Sequence, residues 1–240
     1  MGKHACIFGA SGGIGGALVE QLVASGNYHL IHAGSRSGTG DAARPVSRFA
    51  FDLGDERSIA AVAGQIAQSA PLDLVIIATG VLHLDDGLVP EKTWQALDPA
   101  AMAEVFANNT IGPAMIAKHF LPLLRRDHRT IFAALSAKVG SISDNHLGGW
   151  HSYRASKAAL NMLVQNFAIE LGRRNPQAIA VTLHPGTVDT VLSQPFQRNV
   201  APGQLFTPAQ SAAHLLGVID GLSLADNGGL FAWDGTRIPF

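Results

Sequence analysis

Cysteine is almost absent from this sequence, which holds one residue of that type, Cys6, among 240. A single thiol cannot form an intramolecular disulfide, so the fold does not depend on a disulfide framework. The N-terminal segment also lacks the apolar core of a secretory signal. These two absences predict a protein of a reducing compartment, the cytoplasm.

Excess charge and long apolar runs are absent as well. The 17 Lys and Arg residues nearly balance the 18 Asp and Glu residues, and the net charge of -1 supplies no basic surface for phosphate groups. Glycine, proline or a charged residue interrupts every apolar run before the roughly 18 residues that a membrane span requires. We therefore expect neither a nucleic acid nor a membrane among the partners.

Metal-ligand spacing is missing too. The 10 histidines form no metal-binding pattern. His146 and His151 lack the acidic or cysteine partners of a metal site, so we interpret them as loop, cap or pocket-lining residues. Asp85 and Asp86 resemble a solvated turn ahead of Gly87.

Apolar strands that alternate with amphipathic helices are what the sequence does contain. This pattern predicts an α/β fold, with a parallel sheet covered by helices on both faces in a single domain, residues 1–240. The predicted strands are residues 5–10, 28–34, 47–53, 73–80, 130–135, 178–186 and 228–233. The predicted helices are residues 14–23, 58–66, 102–124, about 150–172 and 208–220, with a bend or break at Pro113 and Pro122. The Gly- and Pro-containing linker 35–46 leaves little room for a helix.

A glycine-rich turn, GASGGIG at residues 9–15, follows the first predicted strand and opens the first predicted helix. Its glycines permit a tight turn whose backbone N–H groups approach a pyrophosphate at the positive end of the helix. At the end of the second strand, Ser35 and Arg36 stand where NAD enzymes usually place an acidic residue, and an arginine there can hold a 2′-phosphate. The pattern predicts a dinucleotide site that prefers NADP, while Arg36 also fits a solvated loop residue.

Tyr153 and Lys157 lie four residues apart in a predicted helix, which places them on one face. A solvated surface pair explains this spacing, and so does an acid whose proton is loosened by a neighbouring ammonium group. Hydride delivery to a carbonyl needs a proton donor at the oxygen, and a phenol has an unperturbed pKa of about 10. Lys157, helped by the positive nicotinamide of an oxidised cofactor, is expected to lower the pKa of Tyr153.

Five stretches resemble the short-chain dehydrogenase/reductase family in order and spacing. They are GASGGIG, ATG at 78–80, NNTIG at 108–112, YRASK at 153–157 and HPGTVDT at 184–190. VGSISDN, GGW and the terminal FAWDGTRIP resemble more narrowly the branch that includes bacterial C-factor and the sniffer carbonyl reductase. The resemblance covers essentially the whole chain. It implies a single-domain Rossmann fold with a doubly wound, seven-stranded parallel sheet and an NAD(P) cofactor.

The site residues follow from the glycine loop and from this resemblance. The family pattern implies that residues 52–53 lie beside adenine, that 78–80 lie along the cofactor and that 185–188 flank the nicotinamide. Asn109 matches a family asparagine that organises a water for proton return, and it also fits a polar residue filling a gap in a bent helix. The expected cofactor contacts are Gly9, Ser11, Gly12, Gly13, Ile14, Gly15, Ser35, Arg36, Asp52, Leu53, Ala78, Thr79, Gly80, Tyr153, Lys157, Pro185, Gly186 and Val188.

One position departs from the family pattern. The family serine that binds the substrate carbonyl falls on Ala137 here, at the end of the fifth predicted strand. The adjacent Ser136 would point to the opposite face, because side chains alternate along a strand. Ser141, four residues further on, is the expected substitute. The predicted catalytic residues are then Tyr153, Lys157, Asn109 and Ser141.

Together these features predict an NADP-preferring oxidoreductase that transfers a hydride between the nicotinamide and a carbonyl or alcohol substrate, with NAD as the alternative cofactor. The irregular segment 187–207 is expected to form a lid over this small-molecule substrate. The alternative function is a signalling or regulatory protein of the C-factor type that binds NAD(P) with little or no turnover. The resemblance also implies a homodimer or homotetramer, assembled through the helix that carries Tyr153 and the helix before it.

Overall fold

The computed structural model describes residues 2–40, 44–69, 71–83, 87–201 and 203–240. The strands are β1 (Lys3–Phe8), β2 (Tyr28–Ser35), β3 (Val46–Ala50), β4 (Leu74–Ile77), β5 (Thr130–Leu135), β6 (Ala178–His184), β7 (Thr187–Val188), β8 (Leu205–Phe206), β9 (Leu230–Ala232) and β10 (Arg237–Ile238). The α-helices are α1 (Gly13–Ser25), α2 (Glu56–Ile66), α3 (Pro99–Phe106), α4 (Gly112–Phe120), α5 (His151–Arg174) and α6 (Pro208–Gly221). Short 3-10 helices cover Trp94–Ala96, Leu121–Leu123, Lys138–Gly140, Gln194–Asn199 and Leu224–Asp226. No helix in these ranges is both long and apolar enough to cross a membrane. The turn predicted at Asp85 and Asp86 falls outside the described residues.

The main sheet has eight strands in the order β10-β9-β6-β5-β4-β1-β2-β3. All neighbours pair in parallel except β9 and β10, which pair antiparallel. The predicted doubly wound α/β fold is confirmed. The strand count differs from seven because the two-residue β10, too short for a hydrophobic pattern, extends the sheet by one strand. The strand order reverses beside β1, and the carboxyl ends of β1 and β4 border a crevice where such sheets bind ligands.

The central strands are apolar on both faces because helices cover both. Every residue of β4 and of β5 is buried. Side chains that point to opposite faces enter two separate clusters, one with the apolar residues of α1 and α6, the other with those of α2, α4 and α5. Burial of each large apolar side chain contributes about 1.5–3 kcal/mol, which holds the helices firmly beside the strand ends.

The helix predicted over residues 102–124 is divided, and a π-helical segment, Ala107–Ile111, joins α3 to α4. Pro113 lies in the first turn of α4 and has no N–H, so the α-helical hydrogen bond from position 113 to the carbonyl of Asn109 is not made. The wider π turn accommodates this defect. Pro122 lies in the 3-10 turn that follows α4, so both prolines mark boundaries as predicted.

Two connecting segments differ in how well the sequence predicted them. The described residues between β2 and β3 contain no helix, as expected for that linker. β3 ends at Ala50, before the predicted limit, because Asp52 and Leu53 begin the turn to α2; Asp52 Oδ1 accepts the N–H of Gly54 at 2.9 Å. The predicted lid, 187–207, is less irregular than its composition suggests, since β7 pairs with β8 around a 3-10 helix.

Candidate functional site

Two cavities lie at the carboxyl ends of the parallel strands. The first, here called the glycine-loop cavity, has a volume of about 470 Å³. It is lined by Gly9, Ser11, Gly12, Ser35, Arg36, Phe51, Asp52, Leu53, Gly54, Ala78, Thr79, Gly80, Val81, Glu104 and Asn108. The second, here called the Tyr153 cavity, has a volume of about 300 Å³. It is lined by Ile14, Leu82, Ser136, Ala137, Lys138, Val139, Trp150, Tyr153, His184, Pro185, Gly186, Thr187, Val188, Thr190, Leu192, Ser193, Phe196 and Val200.

The glycine-rich turn lets the start of α1 pack directly against the strand ends. Gly9 has a φ of +86°, and a Cβ there would lie 2.8 Å from the carbonyl oxygen of Ala78. A Cβ on Gly15 would overlap the carbonyl of Gly9, and one on Gly13 would lie 2.8 Å from Thr190 Cγ2. Gly13 and Gly15 were predicted as cofactor contacts, but neither lines either cavity. Their role in this arrangement is close packing beneath the turn.

The other parts of the glycine-loop cavity fit a dinucleotide. α1 begins directly after the lining residue Gly12, so the positive end of the helix dipole adjoins the cavity. Ser35 Oγ accepts the N–H of Gly38 at 3.0 Å, which fixes the turn that carries the exposed Arg36. The hydroxyl of Thr79 is buried without a hydrogen-bond partner in the described structure. An orphaned hydroxyl beside a helix N-terminus and an arginine suits a ligand that carries phosphate and ribose oxygens.

Tyr153 and Lys157 lie on consecutive turns of α5, but they are not a solvated surface pair. Lys157 is 3% exposed, and its Nζ donates to the carbonyl of Leu135 at 2.9 Å. The same Nζ lies 5.8 Å from the centroid of the Tyr153 ring. Gly140 allows α5 to approach this closely, because a Cβ there would lie 2.8 Å from Lys157 Cβ. The structure therefore excludes the interpretation as an exposed helical pair.

Burial shifts the pKa of each of these two groups toward its neutral form. It raises the pKa of Tyr153 to about 12 and lowers the pKa of Lys157 to about 8. Desolvation of the phenolate sets the pKa of Tyr153 in the chain by itself. The expected lowering by Lys157 together with the positive nicotinamide of an oxidised cofactor stays a prediction. At neutral pH the phenol is protonated and stands beside a protonated amine, the state that can donate a proton.

Asn109 is fully buried, and its amide is locked by the loop after β4. Oδ1 accepts the N–H of Val81 at 2.8 Å, and Nδ2 donates to the carbonyl of Val81 at 2.8 Å and to Ser156 Oγ at 3.2 Å. A Cβ on Gly80 would lie 3.2 Å from Asn109 Oδ1 and 3.4 Å from Lys157 Nζ. Because Gly80 lines the glycine-loop cavity, Asn109 and Lys157 meet directly behind its wall.

The two serines considered as substitutes for the residue at Ala137 are both engaged elsewhere. Ser141 Oγ donates to the carbonyl of Pro239 and accepts the N–H of Asp144, and this residue does not line the Tyr153 cavity. The prediction of Ser141 as the carbonyl anchor is therefore wrong in this arrangement. Ser136 lines the cavity, although strand alternation predicted that it points to the opposite face, and its Oγ donates to Asn161 Oδ1 at 2.7 Å. Ala137 itself borders the cavity without a hydroxyl.

Aromatic residues that sequence reasoning did not assign form part of the wall of the Tyr153 cavity. The ring of Trp150 lies 5.0 Å from that of Phe196 and 6.2 Å from that of Tyr153, both in edge-on contacts. Phe196 comes from the 187–207 segment, and its ring lies 5.9 Å from that of His83. GGW before α5 and VLSQPF in the lid are the sequence signals that point to them. The lid therefore contributes directly to the cavity.

His184 is a further lining residue that the sequence did not single out. Its Nδ1 is buried without a hydrogen-bond partner in the described structure, and burial lowers the pKa of the imidazole to about 4, so the ring is neutral. By contrast, His146 is an exposed loop residue and His151 is the first residue of α5, and neither lines either cavity. Over the ranges that the structure describes, no three His, Cys, Asp or Glu side chains are placed to hold a metal ion.

Comparisons with known proteins agree with this geometry. The family described as short chain dehydrogenase matches residues 3–201. The chain is 35% identical over 175 residues to the C-signal protein of Myxococcus xanthus, covering 72% of this chain and 95% of that protein. The structure of NADPH-bound carbonyl reductase from chicken fatty liver is similar with a TM-score of 0.85 and 27% identity, covering 100% of this chain and 99% of that one. Carbonyl reductase Sniffer of D. melanogaster has the same fold, with a TM-score of 0.85 and 22% identity over 100% of both chains.

Proposed function

Because this chain belongs to the short-chain dehydrogenase/reductase family, we propose that it transfers a hydride between NADP(H) and a small carbonyl or alcohol substrate. Membership makes the protein an NAD(P)-dependent oxidoreductase, as its motifs predicted. The predicted resemblance to the C-factor and sniffer branch is confirmed as well. The roles of individual residues, the preference for NADP and the substrate class are the subject of the proposal.

One observation carries the proposal, namely the placement of Tyr153 and Lys157 between the two cavities. Tyr153 lines one cavity, and Lys157 Nζ lies behind the wall of the other. When bound, the nicotinamide supplies or accepts the hydride. In reduction, Tyr153 gives its proton to the substrate oxygen, and the phenolate that remains faces the ammonium group of Lys157. In oxidation the same groups act in reverse.

The proposed route for returning the proton to solvent uses the backbone of Asn109. Both hydrogens of Asn109 Nδ2 are engaged by Val81 and Ser156, and Oδ1 accepts the N–H of Val81, so the side chain is held in place. Its carbonyl lacks the usual helical donor, because Pro113 has no N–H. We therefore assign the water-holding role to the carbonyl oxygen and a latching role to the side chain of Asn109.

The preference for NADP is proposed from Arg36, which lines the glycine-loop cavity and is exposed there. No acidic residue occurs in residues 33–40, at the end of β2 and just after it. A guanidinium group can pair with a 2′-phosphate through charge-assisted hydrogen bonds. The chicken carbonyl reductase, whose structure contains NADPH, supports this choice. NAD remains the alternative cofactor.

The proposed substrate has an apolar body next to its carbonyl or hydroxyl group. The Tyr153 cavity has room for a small molecule, and the lid contributes Leu192, Phe196 and Val200 to its wall. Ala137 offers no hydroxyl to the substrate oxygen, and Ser136 is engaged by Asn161. We propose that Tyr153 is the main hydrogen-bond donor to that oxygen, so that turnover is slower than with a serine at position 137.

A cytoplasmic location and assembly into a homodimer or homotetramer remain predictions. The helices expected at the interface, α4 and α5, border a groove of about 380 Å³. On α5, Met162 and Ile169 are 57% and 53% exposed. A second copy laid over these helices would bury this apolar surface. Light scattering of the purified protein measures the stoichiometry, and a monomer at micromolar concentration would contradict the prediction.

The experiment that tests the proposed function is an assay of NADPH oxidation with a panel of aldehydes, ketones and quinones. We expect turnover with at least one apolar member of the panel and its loss in Tyr153→Phe, while NADPH binding is retained. A wild-type protein that binds NADPH tightly but reduces no member of the panel contradicts the proposal. That result would favour the second candidate, a regulatory protein that senses NAD(P), which the missing serine at Ala137 and the similarity to C-signal support.

A further inference from the structure

A left-handed turn precedes α5 and ends on a residue that rarely adopts this conformation. Gly148, Gly149 and Trp150 have φ values of +64°, +65° and +50°. Within the described ranges, Trp150 is the one non-glycine residue with positive φ. Such a conformation is unfavourable for a residue with a Cβ and persists only where surrounding contacts impose it. The turn therefore needs an anchor.

Glu91, in the loop after β4, supplies that anchor. Its backbone carbonyl accepts the N–H of Trp150 at 2.5 Å. Its carboxylate accepts the N–H of Ser152 at 3.2 Å and a short hydrogen bond from the Ser152 hydroxyl. Glu91 and Ser152 are 7% and 3% exposed, so these bonds are shielded from water. Burial by itself raises the pKa of Glu91, but the hydrogen bonds from Ser152 lower it by more than that. The pKa therefore lies below its usual value, and the group remains a carboxylate at neutral pH.

This contact replaces the usual cap of a helix. The N-cap position of α5 is Trp150, whose side chain makes no capping hydrogen bond. Ser, Thr, Asp or Asn normally fills this position, because a short polar side chain accepts the free N–H groups of the first turn. Here the acceptor comes from another segment of the chain. The N-cap position is thereby free for an indole ring.

The freed position faces the reaction site. The Trp150 ring lies 6.2 Å from that of Tyr153 and 5.0 Å from that of Phe196, and all three residues line the Tyr153 cavity. Tyr153 follows the capped residue Ser152 directly in sequence. Glu91 thus contacts Ser152, which is one residue from the proposed acid Tyr153, and Trp150, which forms part of the cavity wall.

We propose that Glu91 is a positioning residue for the substrate half of the site. By capping α5 from outside and holding the turn 148–150, it keeps Trp150 in the cavity wall and fixes the first turn of the helix that carries Tyr153. Glu91 itself lines neither cavity, so it acts through these neighbours. The kinetic part of this inference rests on the proposed function, whereas the placement of Trp150 does not.

The kinetic test compares Glu91→Gln with Glu20→Gln, which removes an exposed carboxylate on α1 outside both cavities. Displacement of reacting groups by about 1 Å can cost roughly a hundredfold in rate, so we expect kcat/KM of Glu91→Gln for the carbonyl substrate to fall about tenfold or more. The Kd for NADPH should stay within about twofold, because the glycine-loop cavity is untouched. Glu20→Gln should match the wild type. A lower Tm in Glu91→Gln with unchanged kcat and KM would mean a purely structural role and would overturn the inference.

A second variant guards against misfolding of the first. Ser152→Ala removes the hydroxyl donor to Glu91 and should reproduce part of the loss in kcat/KM. In the double variant the two losses should not multiply, because both act through one contact. Fully independent effects on kcat/KM would contradict the proposed linkage.

A readout without turnover separates this inference from the proposed function. In a background of Trp94→Phe and Trp233→Phe, Trp150 is the sole indole of the chain. Adding Glu91→Gln should shift its fluorescence to longer wavelength and increase quenching by acrylamide. If this happens in a protein that reduces no substrate, the positioning role stands and the proposed function fails. If the fluorescence of Trp150 does not change, the positioning role is refuted whatever the activity.

Discussion

The two cavities are built in different ways. The glycine-loop cavity is formed mostly by short turns directly after β1, β2, β3 and β4, so its residues cluster in short stretches of sequence. The Tyr153 cavity draws on Leu82, the 136–139 loop, the start of α5, the end of β6 and the lid. The first depends on the ends of strands and the second on tertiary packing. The residues of a dinucleotide site can therefore be predicted from short stretches of sequence, whereas those of a substrate site of this kind cannot.

The largest expected effect is a loss of turnover through a change in the Tyr153 cavity, with NADPH binding in the glycine-loop cavity retained. Tyr153→Phe removes the proposed acid from one cavity and leaves the other intact, so kcat should fall about 10²–10⁴-fold, the range for loss of a general acid. The Kd for NADPH should change less than threefold, roughly, since no glycine-loop contact is lost. Tyr28→Phe is the matched control, because burial raises the pKa of Tyr28 to about 12 as well, but Tyr28 lies at the start of β2 outside both cavities. Stopped-flow reduction and fluorescence titration measure the two quantities; a Tyr153→Phe enzyme with full kcat would disprove the assignment.

Arg36→Ala should have the opposite result, namely weaker NADPH binding with turnover retained. Loss of a charge-assisted hydrogen bond costs about 1.5–3 kcal/mol, so the Kd for NADPH should rise roughly tenfold to a hundredfold. The Kd for NADH and the kcat at saturating NADPH should hardly change. Arg57→Ala, at the exposed start of α2, is the control. Isothermal titration with both cofactors checks this, and equal weakening of NADH and NADPH would argue against a 2′-phosphate contact.

A gain of function is expected in the substrate half. Ala137→Ser places a hydroxyl on the wall of the Tyr153 cavity, where the family pattern has one, and should raise kcat/KM about tenfold through an added donor to the substrate oxygen. Ala155→Ser, exposed on α5, should have no effect. Steady-state kinetics with the best substrate of the panel measures the ratio. No gain in Ala137→Ser would mean that another cavity group already fills this role.

The smallest expected effect is a change in kcat/KM with pH that is set by Lys157, which lies between the two cavities. Its pKa is lowered to about 8, so the free enzyme loses the ammonium proton as pH rises through that value, and kcat/KM for reduction should be about half of its plateau near pH 8. Tyr153, with a pKa of about 12, remains protonated over this range. Lys157→Arg should move the alkaline limb above pH 9.5 or so, because arginine keeps its charge. A limb that stays in place in Lys157→Arg would assign it to another group.

How far the sequence predicts this molecule depends on whether a feature is local. The turn at Gly9 and the spacing of Tyr153 and Lys157 are encoded within a few residues, and the structure places them as expected. Ser141 was misjudged because its partner, the carbonyl of Pro239, lies 98 residues away in sequence. The raised pKa of Tyr153 in the chain by itself was not foreseen, because burial is a tertiary property. Trp150 was overlooked for a related reason, since its backbone conformation is held by Glu91 from another segment.

In the proposed route for the proton, Pro113 gives a chemical task to the main chain, because it cannot donate to the carbonyl of Asn109. Since that group is a carbonyl oxygen of the backbone, no exchange of the Asn109 side chain can delete it; such a variant would disturb the hydrogen bonds to Val81 and Ser156. We expect Pro113→Ala instead to supply the N–H of an ordinary helical turn, which would donate to that oxygen and compete with the water. An engineer who transplants the proposed centre into another α/β scaffold would have to carry Pro113 along with Tyr153, Lys157 and Asn109.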